Sequence, residues 1–147
     1  MMQVKPIEIL LIEDNPGDVL LIKEALTDSK YQLHLTWVKD GVEALNYLYR
    51  HNNYQNAIMP DLILLDLNLP KKDGREVLEA IKHDRQLKII PVIILTSSKA
   101  ESDVFKSYYL HANCYLTKPV DLNCFIDIIR SVEQFWLTVV NLPPKNL

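Results

Sequence analysis

The chain has 147 residues, of which 48% are hydrophobic and 24% charged, with a formal net charge of −3 at pH 7. This is the profile of one ordinary globular domain with a sizeable core. The mild acidic balance gives no electrostatic case for nucleic acid or an anionic membrane as partner. No apolar run approaches the roughly 18 residues needed to cross a bilayer. Met1–Pro6 leads into no signal-peptide core, because Ile7–Ile12 is short and interrupted by Glu8, so a cytoplasmic location is expected. The two cysteines, Cys114 and Cys124, are too few for a disulfide framework and read as small buried hydrophobes in a reducing compartment. His34, His51, His83 and His111 are scattered without metal-ligand spacing, and no metal is assigned to them.

Strand-like and helix-like segments alternate along the chain. Ile7–Ile12 precedes an amphipathic stretch over Pro16–Thr27, and Leu33–Val38 precedes one over Gly41–Arg50. Leu62–Asp66 precedes Gly74–Asp84, Val92–Thr96 precedes Glu101–Leu110, and Cys114–Thr117 precedes Asp121–Leu137. Strand runs that are apolar almost without alternation belong to strands covered on both faces, as parallel sheets require. Five such units predict a doubly wound α/β domain, a five-stranded parallel sheet with five helices. Helix starts are marked by Asn15-Pro16 and by an acceptor with Glu three residues later at Asp40/Glu43, Asp73/Glu76 and Ser98/Glu101. Arg50–Pro60 reads as a surface loop, with room for a helical extension at its start. The expected organisation is a single domain over residues 1–147, with a core at 7–137, a tail at 138–147 and no output domain.

Four of the five apolar runs end at a polar residue of interest. Glu13-Asp14 follow the first, Asp66 closes the third, Thr96 closes the fourth and Lys118 follows the fifth. In an open parallel sheet these positions share the carboxyl rim, where ligands bind. Acids after strands are common as helix caps, and a lone lysine is usually a solvated charge. Together they conflict: like charges about 4 Å apart repel by about 4 kcal/mol at an effective dielectric near 20. A bound Mg²⁺ resolves the conflict, since it takes carboxylate and carbonyl oxygens while keeping several waters. Asn68, two residues beyond Asp66, is placed to offer a backbone carbonyl. Lys118 would then neutralise Asp66 or pair with a phosphoryl oxygen, and the Thr96 hydroxyl could donate to the same oxygen. These residues support an acidic Mg²⁺ site beside an anion-binding lysine and hydroxyl, without saying that Asp66 itself is modified.

As a spaced set, Glu13-Asp14, Asp61 through Pro70 with Asp73-Gly74 beyond, Thr96-Ser97, and Tyr115 three residues before Lys118-Pro119 resemble a response-regulator receiver domain of two-component signalling. The resemblance runs from about Ile7 to Trp136. It implies the flavodoxin-like strand order 2-1-3-4-5 and a phosphoacceptor aspartate, Asp66, that takes a phosphoryl group from a histidine kinase. It implies Mg²⁺, replaceable by Mn²⁺ or Ca²⁺, held by Glu13, Asp14, Asp66 and the Asn68 carbonyl. Lys118 and Thr96 would bind the phosphoryl oxygens, and Thr96 with Tyr115 would form the switch. Such a chain is not an enzyme beyond Mg²⁺-dependent self-phosphorylation from a phosphodonor and slow autodephosphorylation. The segments Asn68–Leu78 and Asn113–Pro119, and the ending Phe135-Trp136-Leu137, are similar to the stand-alone regulators paired with cyanobacterial phytochromes, which implies a light-sensing kinase as partner. His111-Ala112 departs from the Gly-Ala of most receivers, a departure shared by this subgroup, and puts nothing catalytic in doubt.

The last helix has more apolar residues than one sheet-facing stripe needs. A homodimer or partner surface at Phe125, Ile129, Phe135 and Trp136 is therefore expected, against a tail folded over its own core. Three other functions fit less well. An aspartate-nucleophile phosphohydrolase typically needs a second acid where Asn68 stands. A flavin carrier would repel its phosphate at the acidic loop Glu13–Asp18. A phosphorylation-independent adaptor of the same fold is the remaining alternative.

Overall fold

A computed structural model of the chain describes residues 6–27, 31–67, 69, 71–96, 114–118, 123–127 and 130. Five strands form one parallel sheet: β1 (Ile7–Ile12), β2 (Leu33–Val38), β3 (Leu62–Asp66), β4 (Val92–Thr96) and β5 (Cys114–Thr117). The order is β2-β1-β3-β4-β5, as expected. The described α-helices with defined limits are α1 (Pro16–Thr27), α2 (Gly41–Leu48) and α3 (Gly74–His83), and residues 123–127 are also helical. The helix expected over Glu101–Leu110 lies outside the described residues. In parallel sheets crossovers cover both faces, and the side-chain alternation of each strand shows this directly. Leu10, Ile12, Ile63, Leu65, Val92 and Ile94 pack with Ala44, Tyr47 and Leu48 of α2 and Val77, Leu78 and Ile81 of α3. Their neighbours Ile9, Leu11, Leu62, Leu64, Ile93 and Leu95 pack on the other face with Val19, Ile22 and Leu26 of α1.

Phe125 corrects one expectation. It is fully buried and belongs to the second of these clusters, so it docks its helix on the sheet and offers nothing to a partner. Ile129, Phe135 and Trp136 lie outside the residues whose side chains are described. Cys124 corrects another: it is exposed, because it sits one residue before Phe125 on a helix whose inner face Phe125 occupies.

The helix starts form for local reasons. The Asn15 side chain accepts from the N–H groups of Gly17 (2.8 Å) and Asp18 (3.2 Å), while Pro16 has no N–H to satisfy. Asp40 caps α2 through Glu43 N–H at 2.8 Å, and Asp73 caps α3 through Arg75 N–H at 2.7 Å. The reciprocal half of the Asp40 box is diverted, since the Glu43 carboxylate accepts instead from the Tyr54 hydroxyl. That bond ties down the Arg50–Pro60 connection, which begins with Arg50 and Asn52 in the left-handed region (φ 58° and 56°) and holds a short 3₁₀ turn at Asn52–Tyr54. Helix α2 ends at Leu48, two residues earlier than its apolar pattern suggests, because Arg50 leaves helical geometry.

Candidate phosphoryl and metal site

Ladder hydrogen bonds continue one residue past the strands and fix the site backbone. Glu13 N–H donates to Val38 O (3.1 Å), Leu67 N–H to Leu95 O (3.2 Å) and Lys118 N–H to Thr96 O (2.8 Å). Glu13 and Lys118, each one residue beyond its strand, are therefore held as firmly as the strand residues Asp66 and Thr96. By parity, Glu13, Asp66 and Lys118 occupy the register positions that face α1 lower down, with Leu11, Leu64 and Leu116 two residues before them. Thr96 and Tyr115 share the opposite face. Tyr115 pairs in register with Ile94, two residues before Thr96, and packs against the cluster beneath α2 and α3.

The three acids converge. One carboxylate oxygen from each of Glu13, Asp14 and Asp66 lies within 4.8 Å of the others. Glu13 and Thr96 are fully buried, Asp66 nearly so, and Asp14 is exposed. Lys118 enters the same space: its Nζ donates to Glu13 Oε1 at 3.0 Å and stands 3.3 Å from Asp66 Oδ2. Glu13 Oε2 lies 2.9 Å from the same ammonium as an ion-pair contact, yet it is a buried oxygen without a hydrogen bond among the described residues. Such an atom is costly to bury unless something else coordinates it. A buried carboxylate oxygen that lacks a hydrogen bond, beside two further carboxylates, fits a hard, oxygen-seeking divalent cation.

Burial pushes the Glu13 carboxyl up to about 7 from its ordinary 4.5, opposed by its hydrogen bond from Lys118 and reinforced by the nearby Asp66 charge. Burial acts to lower the Lys118 pKa, but hydrogen bonds to Glu13 and Asp18 and the Asp66 charge together raise it, so the ammonium stays charged.

Asp18 is the residue that pattern reading did not single out for this site. Its Oδ2 accepts from Lys118 Nζ at 3.0 Å, from the first turn of α1. Only its place in the acidic run Glu13–Asp18 hinted at it, because contact between residues 100 positions apart is set by tertiary packing. Gly74, named in the sequence only as part of the Asp73-Gly74 motif, also shapes the site. A Cβ there would stand 2.4 Å from Asp66 O and 2.8 Å from Leu67 O, so the start of α3 lies directly on the strand end that carries Asp66. Asn68 lies outside the described residues.

The match of residues 9–130 to the model of the response regulator receiver domain agrees with this geometry. Response regulator Rcp1 of Synechocystis sp. is 49% identical over 138 residues, 94% of this chain and of that protein. The crystal structure of the phosphorylated cyanobacterial phytochrome response regulator RcpA shares 51% identity, covers 95% of this chain and 100% of its own, and superposes with a TM-score of 0.73. The Mn²⁺-bound form of Rcp1 shares 48% identity over the same coverage, with a TM-score of 0.71. An acidic trio at the carboxyl rim, an invading lysine and similarity along nearly the whole length agree, and the chain belongs to the response regulator receiver domain family.

Proposed function

We propose that this chain is a phosphoacceptor response regulator in which Asp66 receives a phosphoryl group from a histidine kinase, specifically a phytochrome-type light sensor. The carrying observation is the convergence of Glu13, Asp14 and the Lys118 ammonium on the Asp66 carboxylate. An Asp66 oxygen attacks phosphorus, the new O–P bond forms as the P–N bond to the donor imidazole breaks, and the electron pair leaves with the imidazole nitrogen. Catalysis of this transfer is mainly positioning and charge neutralisation. A divalent cation, Mg²⁺ or a substitute such as Mn²⁺, would be held by Glu13, Asp14, Asp66 and the Asn68 carbonyl, and would neutralise charge between acceptor and phosphoryl oxygens. The Mn²⁺-bound Rcp1 relative supports that assignment.

Lys118 meets one phosphoryl oxygen and the Thr96 hydroxyl another. The added charge, about −1.5 to −2 near neutral pH, draws Thr96 and is felt at Tyr115 on the same face. The signal is a change of protein–protein contacts made by this cytoplasmic receiver domain, with Ile129, Phe135 and Trp136 as the surface for a partner or second copy. The phosphorylated phytochrome regulator RcpA among its relatives supports the light-sensing kinase as donor. The chain turns over no substrate beyond its own phosphoryl group.

Acetyl phosphate with Mg²⁺ should add one phosphoryl group to the wild-type chain, read by intact mass, and none to Asp66→Asn. Labelling of the variant at the wild-type rate would overturn the assignment. Transfer from a phosphorylated phytochrome kinase, followed by sizing of both forms, tests the partner and the dimer.

A further inference from the structure

We propose that Asp18 is a positioning residue for Lys118, holding its ammonium in the site when a divalent cation occupies Glu13, Asp14 and Asp66. The inference deepens the phosphoacceptor reading and rests on it. Lys118 has a flexible four-carbon stem and three N–H donors, so its usefulness depends on what restrains the tip. The structure gives that tip three carboxylates: Glu13, Asp18 and Asp66, at 2.9, 3.0 and 3.3 Å. Two of these belong to the metal-capable trio. A bound cation competes with the lysine for the same oxygens, and its double positive charge repels the ammonium. Asp18 is the one carboxylate of the three that lies outside the trio.

Its own placement is firm. The Asp18 N–H is held by the Asn15 side chain at 3.2 Å, and the next residue's N–H by Asn15 O at 3.0 Å. The N-terminal end of α1 favours its negative charge. On the other side, Lys118 is tied to β4 by its backbone bond to Thr96 O. The Asp18–Lys118 pair therefore bridges the start of α1 and the end of β5 across the acceptor, and it persists when the other two contacts are lost to a cation. A lysine fixed in that way meets the incoming phosphoryl oxygen without first being ordered, which is where positioning contributes to rate.

The test uses the full chain with acetyl phosphate at saturating Mg²⁺. Asp18→Asn should lower the saturating rate of Asp66 phosphorylation by about tenfold, the size of a lost positioning contact near 1.4 kcal/mol, with little change in the Mg²⁺ needed for half-maximal rate. Asp18→Glu should recover part of the loss. In a Lys118→Ala background Asp18→Asn should make no further difference, because the two act as one unit. An undiminished rate in Asp18→Asn, or a loss that persists without Lys118, overturns the proposal. The ¹⁵N signal of the Lys118 ammonium in the Mg²⁺-loaded chain gives a readout without phosphoryl chemistry. It should be sharp and slowly exchanging in the wild type and broadened in Asp18→Asn; no difference overturns the proposal. A wild type that is ordered by this measure yet takes no label would reject the phosphoacceptor reading and keep the anchor.

Discussion

Glu13 carries a conflict that no other residue of the site shares so fully. It has no solvent exposure, one of its oxygens lacks a hydrogen bond, and its pKa is raised to about 7, first by burial and then by the Asp66 charge against the help of Lys118. The folded chain thus holds this proton more tightly than the unfolded chain does. Between the ordinary 4.5 and about 7 the native state binds more protons, so the stabilisation is complete below that window and is lost as pH rises through it. Metal binding has the opposite sign, because the cation needs the carboxylate and expels the proton. Mg²⁺ affinity should rise with pH by approaching tenfold per unit below about 7 and level off above. Trp37 donates its indole N–H to Glu13 O at 2.6 Å, so its fluorescence is the natural probe of the titration. A flat dependence from about pH 5.5 to 7.5 would contradict the assignment of Glu13 as a ligand.

The connection between β3 and α3 couples the site to the rest of the fold. It is pinned at both ends by glycines that have no room for a Cβ. A Cβ at Gly74 would meet the Asp66 and Leu67 carbonyls, and one at Gly41, at the start of α2, would stand 2.1 Å from Lys72 O. Lys71, in the left-handed region with φ 64°, reaches across to Asp40 at 3.5 Å. Helix propensity alone favours alanine over glycine by about 0.8–1 kcal/mol. Here the steric term has the opposite sign and is larger, since overpacking against backbone costs about 1–3 kcal/mol or more. Gly74→Ala should therefore lower the urea midpoint without changing the slope of the transition. Because the nearest atom is the Asp66 carbonyl, the labelling rate should fall as well. A variant as stable as wild type would show that the loop yields freely.

At the scale of the molecule, three carboxylates at one sheet rim make the metal-free chain less stable than it could be. A cation that binds only the folded form adds about 2.7 kcal/mol at a hundredfold excess over its dissociation constant. Calorimetry should show the melting temperature rising with Mg²⁺. Asp14→Asn should melt higher than wild type without Mg²⁺, because one like charge is gone, and gain less from adding it. A variant that gains as much as wild type would remove Asp14 from the ligand set. Among the described residues no helix is long and apolar enough to cross a membrane. The described helices pack on both faces of the sheet.

The strands, their doubly covered character and the polar residues at the ends of four of them were legible in the chain, because burial on two faces leaves a continuous apolar run with a sharp end. The limits of α1 followed from Asn15-Pro16 and a complete apolar stripe, and all five strand limits coincide with their runs. Which of the strand-end residues touch was a matter of sheet order and packing. Asp18 reaches Lys118, and Gly74 lies against Asp66, only because α1 and α3 are laid on opposite faces of one sheet. The same placement turned Phe125 inward and Cys124 outward, since an apolar residue on a helix is assigned to core or surface by the face that docks. Residue type and spacing decided which chemistry the rim could hold. Long-range packing decided which carboxylate restrains the lysine that would use it.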